Sequence, residues 1–593
     1  MLLSKITLLR STGIISLLTA AALLVNGCTP PEPPKQPSAA SAAISHLPLP
    51  PSGPAANTVP TLAPTSTPVS LNGPVTVAIA TDVPEEYATE LLTQLTKIDS
   101  VKAANGEYPV QVLDVAANAD TQIRFTSLAE AEFPLAERFF AAVTPFDTVA
   151  DSVSLEELQT RWQGLDSELG NGEVLFAGFN PGVLDPILGP SKARQVNRAA
   201  LLGELEGDRN AIAILPFDQL DPRFKVLAVD GVSVLDNHLE PASYPLAVAL
   251  DITGHGAPLL HRYLAGIIEP VTNRDADRLT SLIMTGVTAI SRGTAAAIER
   301  TSLTYPADVI SDTLRAADIT HVSNEVPFLH DCVVNNTYNN IVLCSHNDYS
   351  ATLMAIGTDI VGLSGNHVND FGREGARESL MFYRANHIPI YGSGFDVEDA
   401  CKPLQWEDHG NTFAFIAALA YDPEYAWATE DEPGACYFYD NKDRILASIR
   451  ELADEVDIVS VELQYAEEYD PHPLPMQVVE FRELRDAGAD IVTGVQSHVP
   501  QAMEPYGDED PGGPGIIVYG LGNLFFDQMW SWATRTGLIA RHTIYDGRVI
   551  STEVLTTVLE DYAQPRWATE EERTGILREI FNAAPSRPDG DEG

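Results

Sequence analysis

Several polar residues in the second half of the chain have the types and positions that metal-assisted hydrolysis requires. Carboxylates, imidazoles and amide oxygens hold divalent metals, which activate a water molecule and neutralise phosphate charge. His367 lies three residues before Asp370, a pair that suits either a structural histidine or a general acid oriented by a carboxylate. The further candidates are Glu325, Asn366, Glu462, Gln464, Gln496 and His498.

Short apolar segments precede most of these residues and predict the strands that position them. The predicted strands span 319–323, 359–364, 456–461, 490–495 and 516–519. Predicted helices alternate with these strands, and this alternation indicates an α/β domain. In open α/β sheets, sites form at the carboxyl ends of the strands, so we expect the polar candidates to meet at one sheet edge.

Five sequence blocks support a more specific interpretation of the region 278–558. They are Asn324-Glu325, Ser364-Gly-Asn-His-Val-Asn-Asp-Phe-Gly372, Asp486-Ala-Gly-Ala-Asp490, Ser497-His498 and Tyr519-Gly-Leu-Gly-Asn-Leu-Phe-Phe526. In this order they resemble the CapA family, which is associated with poly-γ-glutamate capsules and whose domain is similar to calcineurin-like metallophosphoesterases. The resemblance implies a four-layered α/β/β/α sandwich with a metal site at the strand ends.

The same resemblance implies individual roles. Glu325 corresponds to a carboxylate ligand and Asn366 to an amide ligand, while His367 corresponds to the general acid. His498 corresponds to the last histidine of the family's Gly-His-His-Pro-His stretch, and Gln496 stands where that stretch has an earlier one.

Departures from the family pattern reduce the expected metal content. Val287 follows Gly286 where the family has a ligating Asp, and Glu462-Leu-Gln-Tyr465 replaces a His-Trp-Gly motif. Valine cannot coordinate a metal, and glutamine is a poor substitute for imidazole with transition metals. We therefore expect at most one weakly bound divalent metal, with help from Glu462 or Gln464. Two alternatives stay open: a metal-dependent hydrolase with an incomplete ligand set, and a non-enzymatic protein that binds a polymer or solute.

The region 74–256 predicts a separate α/β domain. Its phrases Val143-Thr-Pro-Phe-Asp147, Ile214-Leu-Pro-Phe-Asp218 and Tyr244-Pro-Leu246 loosely resemble periplasmic solute-binding proteins of the phosphate-binding kind. No anion-binding Ser/Thr-Gly cluster stands out in this region. A degenerate binding domain or a spacer is therefore an alternative to a working receptor.

The N-terminus predicts export and a lipid anchor. Lys5 and Arg10 precede an apolar run too short to span a bilayer, and the run ends at Val25-Asn26-Gly27-Cys28. This resembles a bacterial lipoprotein signal over 1–27 with lipidation of Cys28; a plain secretory signal is the alternative. A Pro/Ala/Ser/Thr-rich linker over 28–73 would hold the folded part away from the membrane. We expect a cell-surface or periplasmic protein whose only membrane attachment is this lipid.

Four further cysteines lie in the CapA-like region. In an exported chain, Cys332, Cys344, Cys401 and Cys436 suggest two disulfides, and pairing of nearest neighbours is the preferred prediction. A Cys₄ zinc site is the alternative, although no close Cys-x₂-Cys spacing supports it.

Overall charge limits the partners. The 593 residues carry 36 Lys and Arg against 83 Asp and Glu, a formal net charge of −47, which excludes a general nucleic-acid binder. The expected role is the production or retention of a capsule or exopolymer of the poly-γ-glutamate type. The expected partner is an anionic polymer or another envelope protein. A charged tail over 569–593 is predicted to contain one amphipathic helix.

Overall fold

The computed structural model describes residues 70–165, 172–337, 339–507 and 513–586. The predicted signal peptide, Cys28 and most of the predicted linker lie outside these ranges. Among the described residues, no helix has both the length and the apolar character that a membrane span requires.

The N-terminal domain is built around one long mixed sheet. Its strands are β1 (Val75–Ile79), β2 (Ser100–Ala103), β3 (Gly106–Val112), β4 (Thr121–Ser127), β5 (Pro134–Pro145), β6 (Ser152–Val153), β7 (Val174–Phe176), β8 (Arg194–Gln195), β9 (Ile212–Pro216), β10 (Phe224–Val229) and β11 (Ala247–Gly254). Its helices are α1 (Glu85–Leu95), α2 (Leu155–Trp162), α3 (Asp185–Leu188), α4 (Leu201–Gly207) and α5 (Ala257–Leu264). The strand order is β2-β3-β1-β4-β11-β5-β9-β7-β8, with β10 paired to β5 and β6. The helices and both sheet faces share one apolar core.

The C-terminal domain contains two larger sheets. Its strands are β12 (Leu279–Thr285), β13 (Val287–Thr288), β14 (Ile319–Asn324), β15 (Phe328–Leu329), β16 (Ser345–His346), β17 (Ile360–Gly362), β18 (Ile390–Tyr391), β19 (Ser393–Gly394), β20 (Leu404–Asp408), β21 (Asn411–Leu419), β22 (Gly434–Ala435), β23 (Ile458–Gln464), β24 (Ile491–Val495), β25 (Met503–Tyr506), β26 (Gly515–Val518), β27 (Asn523–Phe525), β28 (Thr536–Tyr545), β29 (Arg548–Glu560) and β30 (Gln564–Trp567). Its helices are α6 (Arg292–Arg300), α7 (Ser311–Arg315), α8 (Ser350–Ala355), α9 (Gly372–Ala385), α10 (Val397–Ala400), α11 (Phe438–Leu452), α12 (Pro475–Asp486), α13 (Trp532–Arg535) and α14 (Glu570–Asn582).

These elements form four layers. One sheet has the order β18-β17-β14-β12-β28-β29-β30 and the other the order β20-β21-β23-β24-β26-β25. Alternation along β14 explains the packing, because Ile319 faces the second sheet while Val322 faces the helices. Helices α6, α8 and α9 cover the first sheet, and α11 and α12 cover the second. The predicted α/β class and the α/β/β/α sandwich are therefore confirmed.

Both predicted disulfides form. Cys332 pairs with Cys344 across a sequence separation of 12, and Cys401 pairs with Cys436 across 35. The nearest-neighbour pairing is confirmed, and these four cysteines do not make a zinc site.

The predicted tail helix also forms and connects the two domains. Helix α14 begins with a capping box between Thr569 and Glu572, and it buries Ile576, Leu577 and Ile580. Arg573 of this helix pairs with Asp151 of the N-terminal domain at 2.7 Å.

Candidate functional site

The candidate residues lie where the carboxyl ends of the strands of the two sheets meet. Glu325 directly follows β14, and Asn366 lies in the loop after β17 of the same sheet. Gln464 is the last residue of β23 and Gln496 directly follows β24 in the other sheet. The neighbouring strands run parallel within each sheet, so their carboxyl ends bring these four side chains together.

The amide of Gln464 is the centre of this cluster. Its Nε2 donates to Glu325 Oε2 at 3.2 Å and to Asn366 Oδ1 at 3.1 Å, and it also donates to Gln496 Oε1. An amide group has two hydrogens, so three oxygens share them. The four side chains are each no more than 7% exposed. One carboxylate oxygen and two amide oxygens thus converge on a point that a neutral NH₂ group occupies.

Burial perturbs Glu325 strongly. Its loss of contact with water raises the pKa to about 7, although the charge of His367 and the hydrogen bond from Gln464 oppose this rise. Its second oxygen, Oε1, has no hydrogen-bond partner among the described residues. An unpaired buried carboxylate oxygen is costly, and it marks this position as one that suits a cation or a proton donor.

His367 belongs to a chain of polar groups at the rim of the site. Its Nδ1 lies 2.7 Å from Asp370 Oδ2, and the hydroxyl of Tyr425 donates to Asp370 Oδ1 at 3.0 Å. Burial opposes protonation of the imidazole, but the hydrogen bond to Asp370 and the charges of Glu325 and Asp370 outweigh it. The pKa of His367 is therefore raised. The side chain keeps 20% exposure, so a bound molecule can reach part of the imidazole.

His498 has the opposite electrostatic character. Burial lowers its pKa to about 4, so the ring is neutral at physiological pH. The Nδ2 group of Asn523 donates to three oxygen acceptors, which fixes the orientation of the amide. Its oxygen Oδ1 therefore points to His498 Nδ1, at a distance of 2.9 Å. Nδ1 therefore carries the proton and Nε2 is left as an acceptor or ligand atom. Tyr469 packs against the ring with the two centroids 5.6 Å apart.

Glu462 lies deeper in the molecule than the other candidates. It is fully buried between the sheets, where it accepts hydrogen bonds from Ser323 at 3.2 Å and Ser364 at 3.1 Å. Its other oxygen lies 3.4 Å from His321 Nε2. Burial raises the pKa of Glu462 to about 7, against the two serine hydrogen bonds. The structure thus brings Glu325, Asn366, Gln464 and Gln496 into direct contact, but it gives Glu462 a different set of partners.

The donor set does not fit a pair of transition metals. Val287 is 2% exposed and belongs to a small apolar cluster with Val326, Val495 and Phe526. This cluster stands where the family resemblance places a ligating Asp. The oxygens around Gln464 instead match the preferences of a single hard cation such as Ca²⁺ or Mg²⁺.

One other group in the described part of the chain has a metal-ligating composition. Asp318, Asp408 and His409 place their ligand atoms within 4.8 Å of one another. Asp318 precedes β14, so this group lies at the opposite end of the strand from Glu325. Asp318 already accepts two hydrogen bonds from Asn237 and one from the backbone of Ser281.

Arg292 is a site neighbour that the sequence interpretation missed. Its charge acts on Glu325, His367 and His498, and its Nη2 pairs with Asp527 at 2.5 Å. The guanidinium also lies 5.0 Å from the ring centre of Phe526. The signal was its position five residues after Val287, at the same end of the domain's first strands.

Comparisons with known proteins relate part of this chain to bacterial capsule proteins. Residues 281–528 match the family model described as bacterial capsule synthesis protein PGA_cap. Capsule biosynthesis protein CapA of Bacillus anthracis is 27% identical over 307 residues, which cover 50% of this chain and 72% of that protein. PGA biosynthesis protein CapA of Bacillus subtilis (strain 168) is 26% identical over 239 residues, which cover 40% of this chain and 61% of that protein.

A solved structure is similar to part of the chain. An ABC-type phosphate transport receptor from Vibrio cholerae covers 30% of this chain and 86% of its own, with 15% identity and a TM-score of 0.22. Residues 281–528, which form much of the four-layered domain and contain the strand-end cluster, are therefore similar to the bacterial capsule synthesis protein family PGA_cap.

Proposed function

We propose that this protein acts in the production or retention of an anionic capsule polymer of the poly-γ-glutamate type. The family of residues 281–528 supports this role. The observation that supports this role most directly is the environment of His367. Asp370 orients its imidazole and favours the protonated form, and the side chain is still partly exposed. A polyanion meets a net charge of −47 on this chain, so it needs such a local cationic contact.

In this proposal His367 makes the first contact with the polymer. Its protonated Nε2 donates to a carboxylate or carbonyl oxygen of the chain, while Asp370 holds the ring in place. The raised pKa favours the protonated imidazole, and the same proton is available to a leaving group. The partner is the polymer itself or an envelope protein that delivers it.

A single-cation hydrolase is the second candidate, and the convergence of three oxygens on Gln464 Nε2 favours it. Rotation of this amide by half a turn would turn its own oxygen towards the same point. Glu325, Asn366, Gln464 and Gln496 would then hold one weakly bound divalent cation, which would supply charge neutralisation. A non-enzymatic polymer-binding or solute-binding lipoprotein is the alternative to both.

We also propose a lipid-anchored location at the cell surface or in the periplasm. The support is the lipoprotein-like segment that ends at Cys28 and the Pro-rich stretch after it, both read from the sequence. Two disulfides are consistent with an oxidising compartment outside the cytoplasm.

A complementation experiment tests the proposed role. The chain is expressed in a capsule-forming strain that lacks its own capsule protein of this family, and cell-bound and released polymer are quantified. Wild type should restore the cell-bound polymer, and His367→Ala should not. His330→Ala is the matched control, because this histidine is in the same domain with a side chain 80% exposed, and it should behave as wild type. Restoration by His367→Ala would contradict the proposal.

A further inference from the structure

A buried arginine in the N-terminal domain has no counter-ion among the residues that the structure describes. Arg138 lies within β5 and is 8% exposed. Its Nη1 donates to the backbone oxygens of Glu137 at 2.7 Å and Val271 at 3.2 Å. Its Nε and Nη2 donate to the hydroxyl of Tyr87 at 3.1 and 2.9 Å. No ion pair of Arg138 forms anywhere in the described ranges, so the guanidinium charge has only neutral partners.

This arrangement leaves two hydrogen-bond donors unused. A guanidinium has five N–H groups, and Arg138 uses four of them, which leaves one on Nη2. The Tyr87 oxygen accepts two hydrogen bonds from Arg138, so its own O–H points elsewhere. A buried cation without an anion is unfavourable, and a ligand that brings a negative charge would relieve this cost.

Arg138 and Tyr87, which carry these two donors, line a cavity of suitable size. The cavity has a volume of about 270 Å³, and aromatic rings of Phe125, Phe140 and Phe179 form its walls beside Arg138 and Tyr87. The rings of Phe140 and Phe179 lie 4.6 Å apart. At about 30 Å³ per water molecule, the volume corresponds to roughly nine waters, which is enough for a ligand with a single ring.

The composition of the cavity also discriminates among anions. Asn273 lines it, but its amide is already bonded to the backbone of Phe139 and to Asp218. The carboxylates of Glu86 and Asp218 lie at the exposed rim and repel multiply charged ions. For a phosphate ion, the cavity offers only one charged donor, and most of its wall is aromatic. A monocarboxylate needs only two donors, and its apolar body can pack against the rings.

We propose that this cavity binds a small monocarboxylate with an aromatic or apolar body. The carboxylate accepts the free Nη2–H of Arg138 and the O–H of Tyr87, and the body packs between the phenylalanine rings. The site lies in the N-terminal domain and does not depend on the proposed function of the capsule-family domain.

Calorimetric titration of the purified full chain tests this proposal. The probes are phenylacetate, L-glutamate and inorganic phosphate, each at up to about 1 mM. Phenylacetate should bind, and L-glutamate and phosphate should bind at least about 10-fold more weakly. Arg138→Gln should weaken phenylacetate binding by about 10-fold or more, since a charge-assisted hydrogen bond is lost. Arg194→Gln, which changes an exposed arginine of the same domain, should leave binding unchanged.

Tyr87→Phe keeps the test decisive if Arg138→Gln does not fold. This variant removes one ligand donor while it preserves the ring, and it should weaken phenylacetate binding by at least about 3-fold. Three results would overturn the proposal: phosphate binding as tightly as phenylacetate, no probe binding to the wild type, or unchanged phenylacetate binding in folded Arg138→Gln or Tyr87→Phe protein.

Discussion

Replacement of Gln464 by glutamate is the most informative perturbation of the candidate site. The Nε2 group of Gln464 satisfies oxygens of Glu325, Asn366 and Gln496, all of them buried. Gln464→Glu removes this donor and adds a carboxyl group beside Glu325, whose pKa burial already raises to about 7. Two or three unsatisfied buried oxygens at about 1–3 kcal/mol each predict a loss of about 2–9 kcal/mol in the free energy of unfolding when a chelator is present.

A divalent cation should reverse part of this loss. The variant offers two carboxyl groups and two amide oxygens, a set that suits Ca²⁺ or Mg²⁺. At a cation concentration 100 times the dissociation constant, binding to the folded state contributes about 2.7 kcal/mol. The assay is urea-induced unfolding of wild type and Gln464→Glu, with chelator and with added CaCl₂.

Gln464→Met is the matched control for this assay. Methionine has a similar length but neither donates a hydrogen bond nor binds calcium, so this variant should lose stability and not regain it with CaCl₂. The reasoning would be refuted if Gln464→Glu were as stable as wild type in chelator, or if Gln464→Met gained as much from calcium as Gln464→Glu does.

Three further predictions follow from individual residues. Asp370→Asn should lower the pKa of His367 by about 1–2 units, measured by NMR titration, because a charge-assisted hydrogen bond contributes about 1.5–3 kcal/mol; an unchanged pKa would contradict the assigned role of Asp370. Burial lowers the pKa of His542 to about 3, so only the unfolded chain protonates this imidazole as the pH falls below 6.5. The free energy of unfolding should therefore fall by about 1.4 kcal/mol per pH unit. His542→Gln should reduce this slope in urea unfolding between pH 6 and 4.5, and an identical slope in the variant would contradict the prediction. Cys28→Ser should release the protein from the membrane fraction, and unchanged fractionation would disprove lipidation.

The sequence predicted the site best where a residue directly follows a strand. Glu325, Asn366 and Gln496 each follow a strand by at most four residues, and parallel strands bring such positions to one edge. Glu462 and Gln464 share one face of β23, but two residues of a strand span roughly 7 Å. The alternation of side chains along the strand places both residues on one face. It does not show that Glu462 contacts a different set of partners between the sheets.

Other features depend on contacts that no local pattern encodes. Arg292 comes close to the site because helix α6 begins at the same edge, and its partner Asp527 lies 235 residues further along the chain. The free donors of Arg138 likewise depend on Tyr87, which comes from a different element. Both cases rest on tertiary packing, whereas the disulfides were predictable because each pair is close in sequence and the chain was expected to be exported.

A cluster of amides around Gln464, beside an imidazole whose pKa is raised, stands at the strand ends where the family resemblance would place two metals. The most direct test is elemental analysis of the purified wild-type protein before and after dialysis against a chelator. Since Val287 is packed among apolar residues and Gln464 fills the point where oxygens converge, we predict at most one divalent metal per chain, and dialysis should remove it. Two metals per chain that survive the dialysis would contradict this account.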